Sequence, residues 1–316
     1  MKPSLYIVIP CYNEEAVLPV TAPMFRKKLR ELTEKGLISE SSRVLFVDDG
    51  SKDGTWSCIE ALSREDELFL GIRLSRNRGH QNALLCGLME AKELCDVTIS
   101  IDCDGQDSID AMDEMLAQYA GGCEIVCGVR SDRSSDSAFK RATAQGFYKL
   151  MERMGVETVY NHADYRLMSA KALKALGEYK EVNLFLRGMV PLVGYETGTV
   201  EYQRQERLAG KSHYPLKKML ELAVNGITSL SVKPIRLITW FGLLTAFCAL
   251  IGTVWSAIAL GCGNENARWV LMTCVICLFC GVQTLAVGVV GEYVGKTYLE
   301  TKARPRYIVA ERTWEK

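Results

Sequence analysis

The chain has 316 residues, 48% of them hydrophobic and 24% charged, which suits one full α/β domain with something smaller beside it and excludes wholesale disorder. Its 38 basic and 38 acidic side chains cancel, so the total charge does not point to a polyanion and no nucleic-acid partner is expected. Twelve cysteines, with no secretory signal ahead of them, are expected to be reduced and buried.

In chain order, MKPSLYIVIP carries one lysine before a short apolar run that ends at Pro10, and no small-residue cleavage site follows; it reads as a first strand. VLFVDD, LGIRLS, VTISID and EIVCGV repeat the β-rich pattern, with helical spacing between them. That alternation predicts an α/β fold: a Rossmann-like, mostly parallel sheet with helices on both faces. Ligands in such sheets sit beyond the carboxyl ends of the strands. CYNEE, DDGSKDGT, RNRGHQNA and DCDGQD follow the first four strands, so four polar clusters converge on one rim.

Past the sheet, Met219, Leu220, Ala223, Val224, Ile227 and Leu230 recur at helical spacing among Lys217, Lys218 and Glu221. Residues 213–232 therefore read as a helix, either along a membrane surface or against the preceding domain. Residues 237–260 and 269–290 contain no charge and reach roughly 36 and 33 Å as helices, enough for a hydrocarbon core of about 30 Å. GCGNENAR joins them, so 233–292 is expected to form a transmembrane hairpin. Lys211, Lys217, Lys218, Lys233 and Arg236 lie before it, and Lys296, Lys302, Arg304 and Arg306 after it; the positive-inside rule puts both flanks in the cytoplasm. The expected divisions are 1–212 catalytic domain, 213–232 juxtamembrane helix, 233–292 hairpin and 293–316 basic tail.

The strongest chemical constellation is Asp102, Asp104, Gln106 and Asp107 in IDCDGQD. Alternate strand-end residues project the same way, and two converging carboxylates repel unless a cation joins them. Few, hard oxygen ligands favour Mg²⁺ or Mn²⁺ completed by water and substrate phosphates; an Asp- and Gly-rich turn without a ligand is the bland alternative. In DDGSKDGT the glycines suit a tight turn, and Asp53 or Thr55 suits a helix cap. Asp48 and Asp49 are expected to face the rim, where carboxylates fit nucleobase N–H groups or ribose hydroxyls but repel phosphates.

PCYNEE, VDDGSKDGT, RNRGHQNA and IDCDGQD, in that order, resemble glycosyltransferase family 2 over most of residues 4–215. ADYRLMS at 163–169, YQRQERLAGKSHYPL at 202–216 and GEYVGKTYLETKARPRYIV at 291–309 look like its polyprenyl-phosphate glycosyltransferases, which include bactoprenol glucosyltransferases and dolichyl-phosphate mannose synthases. The resemblance implies a GT-A nucleotide-sugar domain and, as in bacterial members, a hairpin behind it. It implies that Pro10, Tyr12, Glu14 and Asp49, with Asn13, Asp48 and Asp102 beside them, hold the nucleoside. By the same resemblance Asp102, Asp104 and Gln106 serve the metal and diphosphate, and Asp164 lies near the reacting centre.

A phosphate monoester acceptor needs no general base, because with a second pKa near 6 it is largely dianionic at neutral pH. Bringing it beside a diphosphate demands cations. Arg130 and Arg133 follow the fifth strand, Arg141 lies nearby, and Arg204, Arg207, Lys211 and Ser212 form a second basic stretch. A membrane-surface role for the later arginines is the alternative. Asp104, Arg130 and Asp164 are the expected catalytic set, although a structural salt bridge would equally explain Asp164 beside Arg166. UDP-glucose is the first expectation for the donor, before UDP-N-acetylhexosamine and GDP-mannose. A homo-oligomer would suit a short hairpin with small residues.

Two rival classes read less well. A processive polysaccharide synthase would carry QxxRW, but here Glu265 precedes Arg268 and Trp269 without the glutamine. A catalytically dead sugar-nucleotide-binding subunit would show eroded acidic motifs, and these are intact. His80, His162 and His213 are scattered, with no zinc spacing to any cysteine.

Overall fold

In the computed structural model, residues 2–131, 162–182, 185–203, Leu244 and 267–315 are described. Strand β1, Leu5–Cys11, is buried at every position, as a central strand covered on both faces must be. Its side chains alternate: Leu5, Ile7 and Ile9 enter one core cluster, Tyr6 and Val8 the other. β2 (Arg43–Asp48), β3 (Phe69–Leu74), β4 (Val97–Ser100) and β5 (Ile125–Arg130) are the other four strands expected. Three more were not: β6 (His162–Ser169), β7 (Thr197–Tyr202) and β8 (Val309–Arg312).

The sheet order is β7-β5-β6-β4-β1-β2-β3-β8. β1 pairs in parallel with β2 and β4, β2 with β3, and β5 with β7. β6 runs antiparallel to both β4 and β5, and β8 antiparallel to β3. Helices α1 (Leu18–Glu34), α2 (Thr55–Glu65) and α4 (Ala111–Ala120) bury Phe25, Leu29, Trp56, Ile59 and Met115 against one face. On the other face α3 (His80–Ala91), α5 (Ala170–Gly177) and α6 (Leu186–Leu192) contribute Leu84, Leu88, Leu173 and Met189. Cys11, Cys86, Cys95, Cys103 and Cys127 carry buried thiols outside any disulfide.

The expected basic tail is not a tail. Helix α7 (Ala267–Thr301) runs on past residue 290, and the chain then returns to complete the sheet as β8. The return is fastened by the Gly71 N–H to Thr313 Oγ1 (3.0 Å), by Arg73 to Glu311 (3.0 Å) and by Arg312 to Glu90 (2.9 and 3.0 Å). Pairing with an edge strand is available to any short segment with free backbone groups. The expected span 269–290 falls within α7, whereas 237–260 and the helix at 213–232 lie outside the described residues apart from Leu244. Among the described residues no helix is long and apolar enough to cross a membrane.

Candidate active site

The rim is built by latching three strand-end loops together. The Asn13 N–H donates to Ser51 Oγ (2.9 Å) and the Glu14 N–H to Thr55 Oγ1 (2.9 Å). In return the Lys52 N–H donates to the Asn13 side-chain oxygen (3.0 Å), and the Gly54 N–H to Glu15 (2.9 Å). Asn13 takes positive φ (55°) to make that exchange, a conformation asparagine tolerates better than most residues. Asp49 reaches across to the third loop and accepts the Arg78 and Gly79 N–H groups at 2.7 and 2.8 Å. Gly50 allows this crossing: its φ is +64°, and a Cβ there would lie 2.6 Å from the Arg76 backbone.

Asp48 and Asp49 were both expected to face the rim, but both are buried. Asp48 has no exposed surface, accepts the Ser51 N–H (3.1 Å) and lies 3.7 Å from Arg73. A strand-end residue alternates between faces, and Asp48 takes the inward position, supporting the turn from below. Burial raises its pKa, against the hydrogen bonds from Ser51 that lower it. Asn13 is exposed, but its side-chain oxygen is already committed to the Lys52 N–H. Pro10 is buried in β1, Tyr12 is open to solvent and Glu14 half-buried, so Tyr12 and Glu14 remain on the surface of the rim.

Asp102, Asp104 and Asp107 follow the end of β4. Asp104 is buried and accepts the Gln106 N–H at 3.1 Å. Burial pushes Asp102 up to about 6; His80 opposes the rise, and Asp107, Asp164 and Asp104 add to it. That is the electrostatic state a divalent cation relieves, and oxygen donors of this kind fit Mg²⁺ or Mn²⁺. Among the described residues no group of three or more His, Cys, Asp or Glu is assembled to hold a metal. A site that takes most of its ligands from water and diphosphate needs only one or two carboxylates.

Two residues absent from the expected set stand at the centre. His80, the first residue of α3, places Nε2 3.6 Å from Asp102 Oδ1 and 3.6 Å from Asp164 Oδ2. Arg187, in the first turn of α6, donates from Nε and Nη2 to the two oxygens of Asp164, both at 3.1 Å. Arg166, two residues along β6 from Asp164, is fully buried beneath it, with Nη2 at 3.9 Å. Burial alone would raise Asp164, yet Arg187 and then His80 hold it well below the usual carboxylate range. The sequence offered no spacing rule for this trio, because its members come from three separate elements.

A second cluster fixes Arg130. Arg130 Nη2 donates to Asp107 Oδ1 (3.3 Å), Tyr202 Oη donates to the same oxygen (2.6 Å), and Arg130 Nε approaches Tyr202 Oη at 3.4 Å. This joins the DCDGQD loop to the ends of β5 and β7. Arg133, Arg141, Arg204, Arg207 and Ser212, the other expected acceptor-phosphate residues, lie outside the described residues.

Residues 6–177 match the family model described as glycosyl transferase family 2, more than half of the chain. An uncharacterized glycosyltransferase of Bacillus subtilis, YkoT, is 46% identical over 308 residues, 98% of this chain and 91% of the relative. The bactoprenol glucosyl transferase of Shigella phage SfX is 39% identical over 314 residues, 99% of this chain and all of the relative. A prophage bactoprenol glucosyl transferase homolog of Escherichia coli K12 is 39% identical over 311 residues, 98% of each chain. The chain belongs to glycosyl transferase family 2 and is a glycosyltransferase with an α/β, GT-A-like domain.

Proposed function

We propose that the protein transfers glucose, with inversion, from UDP-glucose to a polyprenyl phosphate such as undecaprenyl phosphate, at the cytoplasmic face of a membrane. The observation that carries the acceptor class is the state of Asp164. A hydroxyl acceptor must lose a proton to a base, and a carboxylate held by Arg187, His80 and Arg166 is a poor one. A phosphate dianion attacks the anomeric carbon without that step. The match to two relatives named for bactoprenol glucosyl transfer, over at least 98% of this chain, supports the same acceptor and the glucosyl donor.

In this reading Tyr12, Glu14 and Asp49 shape the nucleoside wall, with Pro10 fixing the strand end behind them. Asp102, Asp104 and Gln106 hold the diphosphate end. A bound divalent cation would neutralise charge on the departing nucleoside diphosphate. Arg130, aimed by Asp107 and Tyr202, supplies a fixed planar cation for the phosphates, joined by Arg133, Arg141, Arg204, Arg207 and Ser212. The charge-free stretches 237–260 and 269–290, with basic residues before and after them, support a bilayer hairpin that brings the rim to the lipid head group.

The test is transfer of label from UDP-glucose to undecaprenyl phosphate by the purified protein in detergent, with Mg²⁺ or Mn²⁺. Wild type is expected to form a lipid-linked glucose and Asp104→Asn to form none while remaining folded. Near-normal turnover by that variant would remove the metal assignment, and no lipid product from wild type would remove the acceptor.

A further inference from the structure

We propose that Arg187 is a positioning residue for sugar transfer, its guanidinium fork setting the place and plane of the Asp164 carboxylate. Two parallel N–H···O bonds of 3.1 Å fix a carboxylate in orientation as well as distance, which a single contact cannot do. The remaining cations around Asp164 are looser, with His80 at 3.6 Å and Arg166 at 3.9 Å. His80 also faces Asp102 at 3.6 Å, so the orientation of Asp164 is passed on to the first aspartate of the diphosphate site.

The surrounding scaffold is consistent with a built device. Just before Arg187, the Leu186 N–H donates to Gln81 Oε1 at 2.9 Å, and Gln81 follows His80 in the first turn of α3. The start of α6 is therefore fastened to the start of α3 twice, once by backbone and once through Arg187, Asp164 and His80. Arg166 is the member of the cluster that folding needs, since its side chain is fully buried and must keep a carboxylate near it. Arg187 is 30% exposed, so its removal leaves Asp164 still facing His80 and Arg166. That makes it a cleaner probe than Asp164 itself, whose loss would strand a buried cation. The inference rests on the proposed function only in placing Asp164 beside the reacting centre.

The experiment compares Arg187→Met, Arg187→Lys and Arg187→Ala with wild type for kcat, donor KM and urea midpoint, adding guanidinium at concentrations below the unfolding range to Arg187→Ala. Misplacement of a reacting-centre group by about 1 Å can cost on the order of 100-fold, so kcat of Arg187→Met is expected to fall ~30- to 100-fold with donor KM within about threefold of wild type. Arg187→Lys should recover little, since an ammonium cannot form the fork, and guanidinium should restore part of the Arg187→Ala rate. A kcat for Arg187→Met within threefold of wild type would overturn the inference. So would a loss carried by donor KM alone, or an Arg187→Ala protein that guanidinium does not rescue and whose urea midpoint has fallen. If wild type does not use undecaprenyl phosphate, the polyprenyl reading fails separately. The same ratios are then taken from nucleoside diphosphate release with water as acceptor.

Discussion

Replacing Tyr202 with Phe removes one hydroxyl from the cluster that aims Arg130. The hydroxyl donates to Asp107 at 2.6 Å and is approached by Arg130 Nε at 3.4 Å, while Arg130 keeps its own 3.3 Å contact with Asp107. The ring itself loses nothing, because its edge-on packing against Tyr165, 5.3 Å between centroids, involves carbon atoms only. Hydrogen bonds to charged groups contribute about 1.5–3 kcal/mol, and Asp107, with its side chain 1% exposed, cannot turn to water for a replacement. Its remaining bond to Arg130 moderates the cost, so the variant should be less stable by about 2 kcal/mol, roughly a 30-fold change in the unfolding equilibrium. Urea unfolding of the purified protein, followed by circular dichroism, reads this directly. Acceptor KM should rise as Arg130 loses a prop, with donor KM little changed. A stability loss below about 0.5 kcal/mol would refute the reasoning, since losses of that size are typical of surface changes with no buried partner.

Two further outcomes are expected. Burial pulls His80 down, but the carboxylates of Asp164 and Asp102, each 3.6 Å away, outweigh this and raise the imidazole to about 9. In chelator, the resulting stabilisation is complete below about pH 6.5, the unfolded value, and is lost as pH rises through about 9. With a side chain 38% exposed the gain is screened to about 1 kcal/mol, so the advantage of wild type over His80→Asn should shrink by that amount between pH 6 and pH 9.5; a constant difference would count against it. Ending the chain at Thr301 strips β8 and the Thr313 contact from β3, and the Arg312 pair with Glu90 from α3, and limited proteolysis should then cut the α2–β3 region readily; unchanged resistance would show the return segment to be dispensable.

The five buried strands and the four polar clusters at their ends were legible because β-rich runs bounded by Asp and Gly leave a direct trace in sequence. Strand β6 was not, since HADYRLMS places Asp164 and Arg166 where apolar side chains are looked for, and the partner that holds Asp164 most firmly, Arg187, comes from a separate element. β7 and β8 carry polar and charged residues and are mostly half-buried or exposed, so they lack the hydrophobic signature. Arg187 stood as a lone charge in the apolar run NLFLRGMV and His80 as one scattered histidine; neither acquires meaning until Asp164 is brought between them. Asp48 and Asp49 were indistinguishable as neighbours in a motif; both are buried, and only their hydrogen bonds separate the residue that supports its own turn from the one that crosses to the third loop.

The pairing of β8 with β3 also sets a parity rule. Two strands hydrogen-bonded in one sheet share one aqueous compartment, so any bilayer crossings made by the intervening chain must be even in number. Two crossings satisfy the rule; one or three would leave the sheet without its last strand. If the chain forms the proposed hairpin, a mistake in inserting its second leg would therefore register as a folding defect in the catalytic domain, giving quality control of membrane topology a face outside the bilayer on which to act.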